Sequence, residues 1–377
     1  MQAFLNAANQ IENHAIKAWK QRGKMIVGYT CSHMPPEILH AAGILPVRLR
    51  GIQTEGMEIG DAYFGPFICS FPKCLLQQAG MGQYAFLDGV VIIPGCDAMR
   101  RLDECWRKAG NDHENILPGW FDYLDVPHKS EGHGLRWYQR ELRNFLTRIE
   151  QYFGVTVTDD ALHESIDTYN RGRQLLQSLL EFRKLDNTVV SGHDVFAASV
   201  AASVLPREEF NRQIEKWLTE LAIKKPLAGN TKRLMVVGSI SDEIDLFHLI
   251  ESESQALVVA ENLCFGVRQA GGQIATNGDP ITALASHYLT TSVCPRMFGK
   301  YKERLALLKE TIARYQVQGV ILQNIRFCDL HGSENGLFER DLEAIGIPCL
   351  RIEREYGPLT ETGRIKLRID AFLENID

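Results

Sequence analysis

Short apolar segments alternate with helix-forming segments in two separate stretches of the chain, and this alternation limits the possible folds most strongly. Seven segments have the apolar composition of buried strands: 24–29, 44–50, 88–93, 233–238, 256–260, 319–323 and 348–352. Neighbouring parallel strands need a crossover of helix length, and strands that are covered on both faces are apolar throughout. The alternation therefore predicts an α/β protein with parallel sheets.

Amphipathic segments predict the helices. The clearest of them lie near 4–22, 138–153, 158–185, 207–224 and 364–375. A short helix is also expected after Pro35, ending at Gly43, because proline is tolerated in a first helical turn and glycine favours a helix end. Pro46 marks the second strand as an edge strand or an irregular one, because proline lacks the N–H group of an inner strand.

The three long central helices divide the chain into segments. We predict an N-terminal α/β lobe at 1–134, a helical connector at 135–228 and a C-terminal α/β lobe at 229–377, with a boundary near 225–230. Each lobe is expected to be Rossmann- or flavodoxin-like. Two such lobes leave a cleft between them, which is a frequent position for a small-molecule site.

Composition excludes several functional classes. The chain has 377 residues, of which 45% are hydrophobic and 23% are charged, as in ordinary globular proteins. Its net charge of -6 gives no basic field for binding nucleic acid. No apolar run reaches the roughly 18 residues of a membrane helix. The first residues lack the features of a signal peptide, so we expect a cytoplasmic protein.

Three cysteines lie where an apolar run gives way to a turn or a helix start. They are Cys69, Cys96 and Cys328, and the last two share the order of strand, short break and Cys-Asp. Reactive groups collect beyond the carboxyl ends of strands in open α/β sheets, so the three thiols are predicted to meet in one cleft. Three thiolates with an open fourth position suit an iron–sulfur cluster that binds substrate. Taken singly, each cysteine is also explained as a small buried hydrophobe.

The chain has nine cysteines in all, a large number for a cytoplasmic protein. Disulfides are rare in reducing compartments, and the absence of CxxC pairs and histidine clusters argues against a structural zinc site. Cys74 is an alternative ligand. Cys264 and Cys294 lie at predicted element boundaries and either reach the cleft or pack in the interior. Core packing is the interpretation for three others, Cys31, Cys105 and Cys349.

Polar residues after the first strand are candidates for binding substrate. Ser32 and His33 follow the strand and precede a helix, where a hydroxyl and free amides can hydrogen-bond a polarised carbonyl. Ser32 is equally explained as the helix cap. Glu37 is a candidate for proton transfer, or a solvated charge. GxGxxG, P-loop and GxSxG motifs are absent, which argues against nicotinamide binding, ATP hydrolysis and serine hydrolysis by this chain.

As a set, several segments resemble one known family over nearly the whole chain: the iron–sulfur subunits of 2-hydroxyacyl-CoA dehydratases and benzoyl-CoA reductases. The Gly60 to Phe64 run looks more like the benzoyl-CoA reductase branch. The segments that carry the resemblance are 27–29, 36–38, 41–46, 61–63, 67–69, 96–97, 124–127, 327–329, 347–353, 362–364 and 368–372.

The resemblance implies an anaerobic radical enzyme that acts on an acyl-CoA thioester. In the family, three cysteines hold a [4Fe–4S] cluster and leave the fourth iron position to water, sulfide or substrate; the matching residues here are Cys69, Cys96 and Cys328. A sister subunit of similar fold completes a homo- or heterodimer. A separate ATP-hydrolysing iron–sulfur activator supplies a low-potential electron, which agrees with the missing P-loop.

Two alternatives remain open at this stage. A related group carries a larger double-cubane cluster and reduces small molecules, and the additional thiols of Cys31, Cys264 and Cys294 suit it. In the second alternative, the chain is a structural or electron-relay subunit, and its sister subunit binds the acyl-CoA. Iron and sulfide content distinguishes the double-cubane reductase from the single-cluster enzyme. Acyl-CoA binding by isolated subunits distinguishes a relay subunit from a subunit that binds substrate.

Overall fold

The computed structural model describes residues 1–184, 188–227, 231–252, 255–291 and 293–376. Its described part contains two four-stranded sheets, and every strand pair in them is parallel. The first sheet has the order β2-β1-β3-β4 and the second has the order β6-β5-β7-β8. The predicted α/β class with two parallel-sheet lobes is therefore confirmed.

The strands are β1 (Ile26–Tyr29), β2 (Leu45–Arg48), β3 (Gly89–Ile92), β4 (Trp120–Tyr123), β5 (Lys232–Gly238), β6 (Ala256–Asn262), β7 (Gly319–Ile325) and β8 (Cys349–Arg354). The α-helices of the described residues are α1 (Gln2–Ala8), α2 (His14–Gln21), α3 (Pro36–Ala41), α4 (Glu58–Tyr63), α5 (Ser70–Gly80), α6 (Asp97–Asp112), α7 (His133–Phe153), α8 (Asp159–Glu181), α9 (Gly192–Ala201), α10 (Arg207–Leu221), α11 (Asp245–Ser252), α12 (Pro280–Thr290), α13 (Tyr301–Tyr315), α14 (Asp329–Glu343) and α15 (Thr362–Glu374). A short 3-10 helix, Val267–Ala270, follows β6.

The first sheet is sandwiched between helices. Val90 and Ile92 of β3 belong to one buried apolar cluster with Leu176 of α8, whereas Val91 belongs to another with Phe145 of α7. Alternate residues of a strand face opposite sides of its sheet, so helices from the central part of the chain cover both faces. Residues of α7 and α8 thus share apolar clusters with the first sheet, and their role as a connector stays a prediction.

The predicted segment boundaries remain a prediction. Helix α7 begins at His133, so the division after residue 134 falls in its first turn. Residues 228–230, at the second division, lie outside the described residues, as does residue 185, the predicted end of α8. The single helix predicted near 4–22 is wrong, because Asn13 interrupts it and caps α2 by accepting a hydrogen bond from the Ile16 amide.

Buried polar contacts join the two lobes. Arg50 after β2 lies 3.9 Å from Asp242 after β5, and both side chains are buried. The amide of Gly51 donates to the Tyr356 hydroxyl at 3.0 Å. Ser70, at the start of α5, donates to Glu355 and accepts from the Tyr356 amide, each at 2.7 Å. These contacts set the position of the C-terminal lobe against the residue that follows Cys69.

No helix of the described residues is both long enough and apolar enough to cross a membrane bilayer.

Candidate cysteine-lined functional site

Each of the three predicted ligand cysteines occupies the position just before a helix. Cys69 precedes α5, Cys96 precedes α6 and Cys328 precedes α14, and none of their side chains caps its helix. Cys96 and Cys328 follow strands β3 and β7 as predicted. Cys69 does not follow a strand, because the segment before it is a turn after α4. Its position is set instead by the turn between helices α4 and α5.

The three thiols lie in one region between the lobes. The rings of Phe67 and Phe327, two residues before Cys69 and one before Cys328, are 5.7 Å apart between centroids. Cys69 belongs to a buried apolar cluster against which Cys96 and Cys328 pack. Burial, followed by the nearby Cys96 and Cys328, raises the pKa of Cys69 well above its ordinary value. The fold thus brings together thiols that are distant in the sequence; their role as ligands stays a prediction.

The chemistry of this donor set is compatible with an iron–sulfur cluster, which stays a prediction. Among the described residues, no three His, Cys, Asp or Glu side chains are arranged to hold one metal ion. In a cubane each thiolate binds a different iron, so the ligands lie farther apart than those of a single ion. Buried thiols are also the soft ligands that clusters use.

Three further thiols lie beside this set. A Cβ atom at Gly95, the residue before Cys96, would lie 3.2 Å from the sulfur of Cys31. Burial and then the neighbouring Cys264 raise the pKa of Cys31, and the same two causes raise the pKa of Cys294 to about 12. Cys31 therefore adjoins other thiols, which its interpretation as a core residue did not foresee.

The remaining three cysteines contact carbonyl groups or a thioether. Cys74 lies 3.6 Å from the Tyr356 carbonyl and 3.8 Å from the Met57 sulfur, and burial raises its pKa to about 12. Cys105 lies 3.3 Å from the carbonyl of residue 63, and Cys349 lies 3.7 Å from that of residue 347. These environments do not favour Cys74 as the alternative ligand.

Ser32 borders a small cavity beside these thiols. Four arginines line the same cavity: Arg48, Arg173, Arg207 and Arg268. Helix α3 begins at Pro36 with Pro35 as its N-cap, so the alternative that Ser32 caps this helix is wrong. Its position at the cavity wall leaves substrate binding as the prediction for Ser32.

His33 is buried and tied to the N-terminal lobe. Its carbonyl accepts a hydrogen bond from the Tyr138 hydroxyl of α7. Burial and the positive charge of Arg296 lower the pKa of His33 well below its ordinary value. The imidazole is therefore neutral at physiological pH, so any proton it gives to a substrate comes from a neutral N–H group.

Glu37 lies in the interior as part of an ion pair. Its side chain is 0% exposed, it pairs with Arg173 of α8, and the Tyr288 hydroxyl donates to it at 2.8 Å. Burial alone would raise the pKa of Glu37, but the charge of Arg173 and these hydrogen bonds outweigh it, so the pKa lies below its ordinary value. The alternative of a solvated charge is wrong. Glu37 holds Arg173 in place at the wall of the cavity.

A second and larger cavity shares Arg268 with the small one. Its volume is about 830 Å³, and it is bordered by Arg268, Arg183, Arg314 and residues of α8 and α13. One Arg268 nitrogen lies 3.4 Å from the Cys264 sulfur. The side chain of Arg268 therefore links the larger cavity to the second group of thiols, Cys31, Cys264 and Cys294.

The comparison with known families identifies the chain. The family model described as 2-hydroxyglutaryl-CoA dehydratase, D-component, matches residues 31–376. The chain belongs to this family. The resemblance predicted from the sequence segments is thereby confirmed.

Relatives in the D-component family are parts of acyl-CoA enzymes. A benzoyl-CoA reductase subunit of Thauera aromatica is 28% identical over 325 residues, which cover 84% of this chain and 82% of the relative. The (R)-phenyllactyl-CoA dehydratase beta subunit of Clostridium sporogenes is 22% identical, covering 99% and 97%. The beta subunit of (R)-2-hydroxyglutaryl-CoA dehydratase from Acidaminococcus fermentans is also 22% identical, covering 95% and 94%. The chain is thus a member of a family of enzyme subunits.

The chain uses the same hydroxyl arrangement at the end of the central strand of each sheet. Thr30 after β1 accepts from the Ile93 amide at 2.9 Å, and Ser239 after β5 accepts from the Ile325 amide at 3.1 Å. The Ser239 hydroxyl also donates to the side-chain oxygen of Asn324 at 2.9 Å. Gly238 makes this turn possible, because its φ is +142° and a Cβ there would lie 1.8 Å from the Gln323 carbonyl oxygen.

Several residues of the candidate site were not predicted from the sequence. The four cavity arginines come from β2, α8, α10 and the short 3-10 helix, so no local motif connects them. Arg48 carries the clearest signal, because an arginine inside an apolar strand is rarely buried without a function. Ser239 follows the glycine that ends β5, as Thr30 follows β1, and this repetition was also detectable.

His287 at the wall of the small cavity should make the stability of the protein pH-dependent. Burial and then Arg173 lower its pKa from 6.5 to about 4, so only the unfolded chain binds a proton between these values. The unfolding free energy should therefore fall as the pH decreases through this window. The full difference corresponds to about 3 kcal/mol.

Chemical denaturation at pH 7.5 and pH 4.5 measures this contribution of His287 to the unfolding free energy. His287→Gln should remove that part of the decrease, and His14→Gln, at an exposed position on α2, should leave it unchanged. Identical pH profiles for the wild-type protein and His287→Gln would show that the imidazole does not resist protonation in the folded state.

Proposed function

We propose that the chain is the iron–sulfur subunit of an acyl-CoA-processing radical enzyme of the benzoyl-CoA reductase or 2-hydroxyacyl-CoA dehydratase type. The observation that carries this proposal is the meeting of Cys69, Cys96 and Cys328 between the two lobes. Membership of the D-component family supports it. Relatives named for a reductase and for dehydratases support the two reaction types equally.

The three thiols would hold a [4Fe–4S] cluster and leave one iron position open. When bound, such a cluster supplies a single electron at low potential. The protein's own residues bind and orient the substrate: the Ser32 hydroxyl donates a hydrogen bond to a carbonyl oxygen, and His33 remains neutral. Glu37 keeps Arg173 oriented through their ion pair.

The larger cavity offers space for part of an acyl-CoA. Its volume of about 830 Å³ falls in the range of small-molecule sites, and three arginines that could bind the phosphates of coenzyme A line it together with three glutamates, Glu181, Glu261 and Glu310. A sister subunit of similar fold and an ATP-hydrolysing activator complete the proposed system, because the chain has no P-loop of its own. A cytoplasmic location is part of the proposal.

A second candidate is a reductase of small molecules that carries a double-cubane cluster. The additional group formed by Cys31, Cys264 and Cys294 favours it, because these thiols influence one another's pKa and adjoin the first set. A subunit that only relays electrons to a substrate-binding sister is the third alternative. It predicts a cluster without acyl-CoA binding by this chain.

Anaerobic purification with the sister subunit, followed by iron and sulfide analysis, tests these proposals. About four irons per chain are expected for the single cluster, and about eight for the double cubane. Equilibrium dialysis of each isolated subunit with benzoyl-CoA and a 2-hydroxyacyl-CoA then tests the relay alternative. A chain that takes up no iron under reconstituting conditions would contradict all three.

A further inference from the structure

The small cavity beside Ser32 concentrates positive charge in the interior. Its volume of about 50 Å³ has room for about three to five water-sized groups, since one such group needs about 10–15 Å³. Arg48, Arg173, Arg207 and Arg268 all line it. Arg48 and Arg207 are 2% and 8% exposed, so these two charges are removed from bulk water.

Only part of this charge is balanced by the protein. Arg173 pairs with Glu37, whereas the buried ion pairs of the described residues do not include Arg48, Arg207 or Arg268. Arg268 lies against the Cys264 sulfur. The buried Glu261 carboxyl is also close enough to interact with Arg268. Even if the Cys264 sulfur and Glu261 are both counted as anions near Arg268, Arg48 and Arg207 form no ion pair among the described residues.

The other ionisable groups of the cavity supply no negative charge. Burial raises the pKa of Tyr29 to about 12 and the pKa values of Tyr169 and Tyr288 above their ordinary value, so all three hydroxyls are neutral. Burial also lowers the pKa of His287 to about 4, so the imidazole is neutral as well. The arginines themselves remain protonated at every physiological pH.

The two unbalanced guanidinium groups also retain hydrogen-bonding capacity. Arg48 donates one Nη group to the Cys264 carbonyl at 2.7 Å and lies 3.8 Å from the centre of the Phe265 ring. Arg207 lies 4.2 Å from the centre of the Tyr169 ring. The Nε atoms of both arginines have no hydrogen-bond partner among the described residues. Both aromatic contacts hold the guanidinium planes in place without neutralising them.

We infer that this cavity is a binding site for a small oxyanion, either inorganic or the carboxylate of a small organic acid. A buried charge without a partner is strongly destabilising, and a bound anion would offset two of them together. Guanidinium groups match the geometry of oxyanions, and the cavity admits only a group of a few atoms. This inference does not depend on the presence of a cluster.

Isothermal titration of the full-length, metal-free chain with phosphate and with acetate, at constant ionic strength in chloride, tests the site. Saturable binding of one or both anions is expected, and their relative affinities distinguish an inorganic oxyanion from a carboxylate. Arg207→Gln should weaken binding about 10- to 100-fold, the loss for one hydrogen bond to a charged group.

Two further variants keep the test independent of folding defects. Arg207→Lys retains the charge and should bind more tightly than Arg207→Gln. Arg212→Gln removes an exposed arginine from the same helix, α10, and should leave binding unchanged. The absence of saturable binding to the wild-type chain, or equal weakening by Arg212→Gln and Arg207→Gln, would overturn the inference. Iron content is measured separately, so failure here leaves the proposed cluster function standing.

Discussion

Replacing Cys96 or Cys328 with serine should remove most iron and sulfide from the anaerobically prepared protein while leaving the chain folded. Each change removes one of three proposed ligands, and a serine hydroxyl is a poor ligand for iron in a cluster. Folding should survive because both cysteines precede helices that their side chains do not cap. Serine is favoured at this helix position, so the change adds a cap.

Iron and sulfide analysis, cluster absorbance and circular dichroism measure the result. Cys105→Ser and Cys349→Ser are matched controls, because both thiols contact backbone carbonyl groups outside the thiol region. They should retain the wild-type iron content. Full iron content in both Cys96→Ser and Cys328→Ser would contradict the ligand assignment, whatever the controls show.

Ser32→Ala should lower turnover about 10- to 1000-fold, the range for losing one hydrogen-bond donor to a developing oxyanion. The side chain borders the arginine-lined cavity and does not cap α3, so its loss should scarcely change the stability. Cluster content should also be unaffected, because Ser32 is not a proposed ligand. Steady-state kinetics, iron analysis and thermal unfolding of one variant separate these effects.

Ser191→Ala provides the opposite control. Ser191 caps α9 by accepting a hydrogen bond from the Asp194 amide at 3.1 Å. This variant should lose about 0.5–2 kcal/mol of stability and keep its turnover. If Ser32→Ala instead loses stability and retains normal turnover, the hydroxyl has a structural role and the substrate contact is wrong.

Most of the fold was predictable because mainly apolar segments of the sequence mark seven of the eight strands. The strand that was missed, β4, is an edge strand with only its first residue, Trp120, fully buried, so its composition is mixed. Pro46 correctly marked β2 as an edge strand. The position of the central helices was not predictable, since amphipathic periodicity shows that a helix has a buried face but not which sheet covers it.

The candidate site was predictable only where a reactive side chain follows the end of a strand. Cys96 and Cys328 follow β3 and β7, and parallel strands bring such residues to one edge of each sheet. The arginine cavity was not predictable, because Arg48 and Arg268 are 220 residues apart (268 − 48) and meet only in the folded chain. The burial of Glu37 was not predictable for the same reason, since its partner Arg173 comes from α8, and its part in proton transfer stays a prediction.

The division of the thiols between the lobes has a consequence for biosynthesis. Cys69 and Cys96 belong to the first lobe, but 232 residues separate Cys96 from Cys328 (328 − 96). Lobes generally fold as units, and the first emerges from the ribosome long before the second. During that interval the nascent chain displays two of the three thiols without the third. If the three thiols hold the proposed cluster, its iron would have to arrive after the C-terminal lobe has been made and has docked.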